Sequence, residues 1–332
     1  MPGTKTMTPP PQPAGDDAAT TEFRLHVVRG LKQSPKHIPS RFLYDAEGDR
    51  LFQKIMACGD YYPTRAEDEI MRMQADEVIQ ALAGDHRQFS LFELGAGDGA
   101  KTKHLLRRAM ATGRDPMYRP IDISEHVLEV LRHGLAKELP GLRFQAEQGE
   151  YFQVVQRGLD GDGPKAVLFL GSNIGNMLRQ QAVLLLKSIA SHMGPDDRLL
   201  VGFDRKKDPA VILRAYNDRD GFTREFNLNL LRRINRELGA DFNVDAFIHA
   251  PSYDPVEGRA LSFLVSTCDQ TVHVPGMLQP VHFKAWEALH TEISQKYDQS
   301  MIEELAAGAS LRITEQFSDS LNHFLDVVFA VR

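Results

Sequence analysis

Cysteine is nearly missing from these 332 residues, which carry only Cys58 and Cys268. Two thiols so far apart exclude a disulfide framework and a cysteine-built metal or redox site, and they fit a reducing compartment. Long apolar runs are missing as well: none approaches the ~18–20 residues that cross a bilayer, so no membrane span is expected. Positive charge is in deficit. A formal net charge of −6 argues against a nucleic-acid partner bound by neutralising phosphates. No charged-then-apolar leader opens the chain, so a cytoplasmic location is expected. What remains is an ordinary globular composition, 42% hydrophobic and 25% charged, sufficient for one large α/β domain or two unequal ones. Residues 1–21, rich in Pro, Thr, Gly and Asp, read as a disordered tail.

The most informative stretch is Phe89-Ser-Leu-Phe-Glu-Leu-Gly-Ala-Gly-Asp-Gly-Ala-Lys101. An apolar run ends in Glu93, glycines follow at alternate positions (Gly95, Gly97, Gly99), and a helical pattern runs from Lys103 to Met110. Strand, tight turn and helix start bring bare backbone to a nucleotide-like ligand. The spacing is not the Gly-x-Gly-x-x-Gly of pyrophosphate binders. A glycine turn preceded by an acidic residue suits S-adenosylmethionine, which has a ribose and an amino acid but no phosphate. A second strand, Tyr118 to Ser124, delivers Asp122 near the interval at which dinucleotide-type folds place a carboxylate on ribose hydroxyls. A third, Leu142 to Phe152, leads into Glu150, whose carboxylate can accept from an adenine amino group. The buried-strand pattern Ala166-Val-Leu-Phe-Leu breaks into Gly171, Asn173 and Asn176, amides suited to an amino acid's carboxylate or amine.

Upstream, Tyr44, Phe52, Tyr61 and Tyr62 concentrate aromatic side chains ahead of the glycine turn, the makings of a lid over a small-molecule pocket. Thr64 reads as the cap of one helix running to about Leu82. After the fifth strand, Arg198 to Asp204, the rhythm changes to two helices and several alternating strands, an insertion suited to a substrate subdomain. Tyr216 ends the first of those helices. In His290-Thr-Glu-Ile-Ser294 an extended backbone turns Glu292 and Ser294 to one face. A carboxylate beside a hydroxyl can hold imidazole at both nitrogens.

From about Leu25 onward these segments resemble the S-adenosylmethionine-dependent L-histidine Nα-methyltransferases of ergothioneine biosynthesis. Phe42-Leu-Tyr-Asp-Ala, Tyr61-Tyr-Pro-Thr-Arg65, Phe169-Leu-Gly-Ser-Asn-Ile-Gly-Asn176, Ile234-Asn-Arg-Glu-Leu-Gly-Ala-Asp-Phe242 and Thr291-Glu-Ile-Ser294 carry the likeness. It implies an α/β fold: a Rossmann-like class I methyltransferase domain with an inserted α+β substrate-binding subdomain. The core is expected over 65–204 and 293–332, the insertion over 205–292, with 22–64 joining the insertion. The resemblance puts Gly95, Lys101, Asp122 and Glu150 around the methyl donor, with Glu93 and Gly97 as parts of the same turn. It puts Asn176 and Tyr216 on the substrate carboxylate, Tyr44, Tyr61, Phe52 and Gly171 around the amine, and Glu292 and Ser294 on the imidazole. Ser262 stands where typical members carry Met, near the ring, which keeps other aromatic or amine-bearing amino acids, such as a tryptophan derivative, in view as substrates. A non-catalytic adenosyl-binding module is the remaining alternative. The implied reaction is successive methylation of the α-amine to the betaine hercynine, with no metal, no strong general base and a monomeric enzyme.

Overall fold

The computed structural model describes residues 18–161 and 163–332. Most of the expected tail lies outside them, but residues 18–21 form the first turn of α1 (Ala18–Leu31). A two-residue strand β1 (Lys36–His37) and α2 (Ala46–Ala57) follow. Asp45 caps α2 by accepting from the Gly48 amide at 2.8 Å. The single helix expected from Thr64 to Leu82 is two, α3 (Tyr62–Met73) and α4 (Ala75–Ala83), because the backbone leaves helical geometry at Gln74. The Gln74 amide reaches out of the break to the Ser318 carbonyl at 2.9 Å.

Strand and helix then alternate: β2 (Gln88–Leu94), α5 (Thr102–Ala111), β3 (Asp115–Asp122), α6 (Glu125–Glu138), β4 (Arg143–Phe144), β5 (Glu147–Gln148), α7 (Tyr151–Arg157), β6 (Lys165–Phe169), α8 (Arg179–Ala190) and β7 (Arg198–Asp204). The third strand expected over 142–152 is thus two short pieces, and its last residues open α7 with Glu150 as cap. Next come α9 (Pro209–Ala215), α10 (Phe222–Leu238), β8 (Phe247–Asp254), β9 (Arg259–Ser266), β10 (Gln270–Val272), β11 (Val281–Phe283), β12 (Ala288–Gln295), α11 (Gln299–Gly308), β13 (Leu311–Ser318) and β14 (Phe324–Val331).

The larger sheet has the order β13-β14-β7-β6-β2-β3-β4, with β5 also on β3. The strands from β7 to β4 are parallel; β14 enters antiparallel between β7 and β13. The central strands are apolar on both sides because helices cover both faces. Leu91, Leu168 and Leu200 pack under α3, α4 and α5, whereas Phe92, Val167 and Val201 pack under α7, α8 and α11. Chain order reverses between β2 and β6, and the crevice at their carboxyl ends is where open α/β sheets take ligands.

The smaller sheet has the order β1-β12-β9-β8. Strand β8, which the sequence did not announce, contains Pro251, tolerated because β8 is the sheet edge. The smaller body gathers α1, α2 and α10 around Phe23, Leu51, Phe226 and Leu264. Strand β12 keeps Ile293, Ser294 and Gln295 in this sheet, so the return to the larger sheet comes after Gln295 rather than at 293. Among the described residues no helix is long and apolar enough to cross a membrane.

Candidate active site

The glycine turn caps β2 at the switch point. Gly95, Gly97 and Gly99 have φ of 72°, 55° and 62°, a region that costs a side chain strain. The amides of Gly95 and Ala96 donate to the Ile121 carbonyl at 2.8 and 3.2 Å, which ties the turn to β3. Asp122 accepts from the Gly97 amide at 3.1 Å and the Ser124 amide at 3.0 Å, so its carboxylate is held at the rim of the turn. Glu150 lies beside it. The Gly149 amide donates to the Asp122 carbonyl at 2.9 Å, and Glu150 accepts from the Gln153 amide at 3.1 Å.

Glu93 does something other than meet a ligand. It is 3% exposed; one oxygen accepts from Thr102 Oγ1 at 2.8 Å and the other from the Tyr118 hydroxyl. The carboxylate therefore pins the start of α5 and strand β3 beneath the turn. Burial pushes its pKa up to about 7.

Lys101 points toward β6 rather than outward. Its ammonium pairs with Glu67 of α3, which is fully buried. Glu67 also accepts from the Gly171 amide, at 2.9 Å to each oxygen. Sequence reading passed over Glu67, although a carboxylate between Ala66 and Ile70 on the apolar stripe of a helix was a visible anomaly. A side chain on Gly171 would come within 3.6 Å of Lys101 Nζ and 3.5 Å of Asn173 Nδ2. One on Gly95 would lie 3.7 Å from that same amide. Gly95, Gly171, Lys101 and Asn173 thus lie together at the sheet edge, with Asp122 and Glu150 next to the turn. Such a set of backbone amides, carboxylates and an amide fits the ribose, adenine and amino-acid ends of S-adenosylmethionine.

On the other side stands an aromatic wall. Tyr44 meets Phe52 and Phe226 edge-on, with ring centres 5.3 and 5.2 Å apart. Tyr61 packs on Phe52 at 6.3 Å and on Tyr216 at 6.5 Å. Phe226, from α10, joined the wall unannounced. Burial, then Glu292, Tyr61 and Tyr216, raise the Tyr44 phenol well above its usual pKa; burial, then Tyr216 and Glu292, do the same to Tyr61.

Strand β12 completes the site. A bulge between His290 and Glu292 sets Glu292 opposite Ser262 of β9. The Ser262 hydroxyl donates to Glu292 Oε2 at 3.2 Å. Burial raises the Glu292 pKa, while Ser262, Lys296 and the Asn227 amide counter it. Ser294 follows on the same face, within reach of the Tyr216 hydroxyl. Asn176 ends the 3-10 turn that follows β6. The 3-10 turn Asn173–Asn176 lies against the end of β12, where a side chain on Gly175 would meet the Gln295 carbonyl at 2.8 Å. Beneath Ser294 and Tyr216 lie Lys296, Asp204, Lys207 and Tyr62, a buried polar group that sequence reading did not assemble. Two signals were available: Lys296 continues the alternation of Glu292 and Ser294, and Asp204 ends an apolar strand as Asp122 does. Among the described residues no cluster of side chains could hold a metal ion.

The family model described as histidine-specific methyltransferase, SAM-dependent, matches residues 23–331. The chain is 38% identical to a histidine N-alpha-methyltransferase of Mycobacterium tuberculosis, over 90% of this chain and 92% of that protein. A histidine N-alpha-methyltransferase of Mycolicibacterium smegmatis is 35% identical, over 93% and 94% respectively. More distant is a 4-dimethylallyltryptophan N-methyltransferase of Claviceps fusiformis, 29% identical over 84% of this chain and 86% of that one.

Proposed function

The chain belongs to the histidine-specific, S-adenosylmethionine-dependent methyltransferase family, and from that premise we propose that it methylates the α-amine of L-histidine, in successive rounds, to the trimethylated betaine hercynine. One observation carries the reading. Glu292 and Ser294, the pair suited to imidazole, share a face with Tyr216, and the turn that ends in Asn176 packs through Gly175 on the end of the same strand. This arrangement supports a reading in which residues for the ring end and the carboxylate end of one small amino acid lie side by side.

Bound S-adenosylmethionine supplies a methyl already activated by its sulfonium. What the protein must add is alignment of a neutral amine with that methyl. We assign Gly95, Gly97, Lys101, Asp122 and Glu150 to holding the donor, with Glu93 setting the turn from below. Asn176 and Tyr216 take the substrate carboxylate; Glu292 accepts from one imidazole nitrogen and Ser294 donates to the other. An α-amine with a solution pKa near ~8 is already partly neutral at cellular pH. The Tyr44 and Tyr61 phenols, raised well above their usual pKa, stay protonated and cannot serve as phenolate bases. Their oxygens accept from the amine's N–H groups and aim its lone pair. As methyls replace those hydrogens, the faces of Phe52, Tyr44 and Phe226 take over, because aromatic rings hold a quaternary ammonium by cation–π attraction. Each transfer forms the N–CH3 bond as the S–CH3 bond breaks, leaving S-adenosylhomocysteine to exchange for fresh donor and a methylated ammonium that loses one proton to water before the next round. Anchors at the carboxylate and the imidazole do not depend on N–H donors, so an intermediate can stay.

Incubation with labelled donor and a panel of free amino acids, read by mass spectrometry, tests this. Histidine gaining three methyls is the expected product. Methylation of tryptophan or a prenylated derivative but not histidine would replace the substrate, and donor binding without turnover on any amine would remove the activity.

A further inference from the structure

We propose that Lys296 is a positioning residue that presets the substrate cleft, by holding the Tyr216 and Ser294 hydroxyls with their protons turned outward; this rests on the substrate reading above. The lysine is fully buried. An ammonium has three N–H donors, and each has a partner: Asp204 Oδ2 at 2.7 Å, the Tyr216 hydroxyl at 2.8 Å and Ser294 Oγ at 2.8 Å. Nothing of the ammonium is left over for a ligand, so it acts through its partners.

Its position is fixed by its neighbour. Asp204 is fully buried at the end of β7 and accepts from the Tyr62 hydroxyl at 2.8 and 2.9 Å besides pairing with Lys207. Lys296 and Lys207 hold the Asp204 carboxyl below its usual pKa against the burial that raises it. A lysine buried against a carboxylate at 2.7 Å is held in one place by a charge-assisted pair.

A hydroxyl that accepts from an ammonium has its own O–H left to give elsewhere, and it gives it more strongly. Tyr216 is then a donor toward a carboxylate. Ser294 is a donor toward a bare imidazole nitrogen, matched by Glu292 as the acceptor for the other. One buried charge thereby couples recognition of the carboxylate to recognition of the ring through two neighbouring hydroxyls.

The test is a set of double-mutant cycles in the full chain, with histidine titrated calorimetrically at saturating S-adenosylhomocysteine. Lys296→Met is expected to weaken histidine binding by at least about thirtyfold while S-adenosylhomocysteine binding changes less than about twofold. Tyr216→Phe and Ser294→Ala, each costing about tenfold alone, are expected to cost less than about twofold when Lys296 is already Met. Equal costs in both backgrounds, or near-normal histidine binding by Lys296→Met, would overturn the proposal. If the lone substitution leaves Asp204 too poorly paired to fold, Lys296→Met/Asp204→Asn removes charge and counter-charge together. That pair is expected to show the same loss, and recovered histidine binding in it also overturns the role. Failure of the wild-type protein to take histidine is a different result: it overturns the substrate reading, and the cycles are then run on the amino acid that the panel shows to be methylated.

Discussion

Ser262 and Glu292 face each other across β9 and β12, and the serine hydroxyl donates to the glutamate carboxylate at 3.2 Å. Ser262 is fully buried, so its hydroxyl is shielded from water. A polar residue where the resembling family usually has Met does not enlarge the ring pocket at random; it braces the carboxylate proposed to read the ring. Ser262→Ala should cost about three- to tenfold in histidine affinity, the net value of one ordinary hydrogen bond acting through Glu292. Calorimetry measures it; unchanged affinity would make the serine a bystander.

Removing the carboxylate itself should be more severe. Glu292→Gln keeps the shape but loses the charge-assisted bond to the ring, and about ten- to a hundredfold weaker histidine binding is expected. Donor binding should stay within about twofold. Equal losses of histidine and donor would remove the imidazole assignment.

In the proposed reaction, a third methylation would lean on aromatic faces because the last N–H is gone. Phe52, whose ring packs edge-on against Tyr44 and Tyr61, can be replaced by Leu with little change in volume. Phe52→Leu should let dimethylated product accumulate, since cation–π attraction contributes about 0.5–2 kcal/mol. A time course of product masses that matches wild type would argue against the cage.

Glu93 supplies a pH signature. Burial keeps its proton to about pH 7 in the folded protein, whereas an unfolded glutamate releases it near pH ~4.3. Across that window the folded state binds more protons than the unfolded one, so this group makes stability fall as pH rises, with no further loss above the folded value. Glu93→Gln removes the titration. Urea melts at pH 5 and pH 8 should show the variant losing less stability between them than wild type, by on the order of 1–3 kcal/mol. An identical pH difference in both proteins would mean the carboxylate is ionised throughout.

Gly202 marks a tight spot under the donor side. A side chain there would reach within 2.3 Å of Glu67 Oε1 and 2.9 Å of the Phe324 ring. Gly202→Ala should displace the carboxylate that holds Lys101 and the Gly171 amide, destabilise by about 1–3 kcal/mol, and weaken S-adenosylhomocysteine binding. Normal donor binding in a folded variant would detach Glu67 from the donor site.

How much of this could be read in advance depended on how far apart the partners lie along the chain. The strand, glycine turn and helix around Gly95 are contiguous, so spacing alone announced them. Asp122 was found because parallel strands return at a regular interval. The helix break at Gln74 was not, since its partner is the distant Ser318 carbonyl. Strand β8 was hidden by Pro251, whose fitness for a strand depends on lying at an edge. The anchoring role of Glu93 was not legible because its partners Thr102 and Tyr118 come from two other elements.

By itself the sequence determined the alternation of strand and helix, the glycine turn, and the pairing of Glu292 with Ser294 on one strand face, because local backbone geometry sets those periods. Only the tertiary structure decided that Glu67 holds Lys101 to Gly171, and that Asp204 fixes Lys296 beneath Tyr216 and Ser294. Those contacts join strands and helices from opposite ends of the chain. A charge buried at such a crossing survives only if its partner is already in place, and that is a property of the assembled fold.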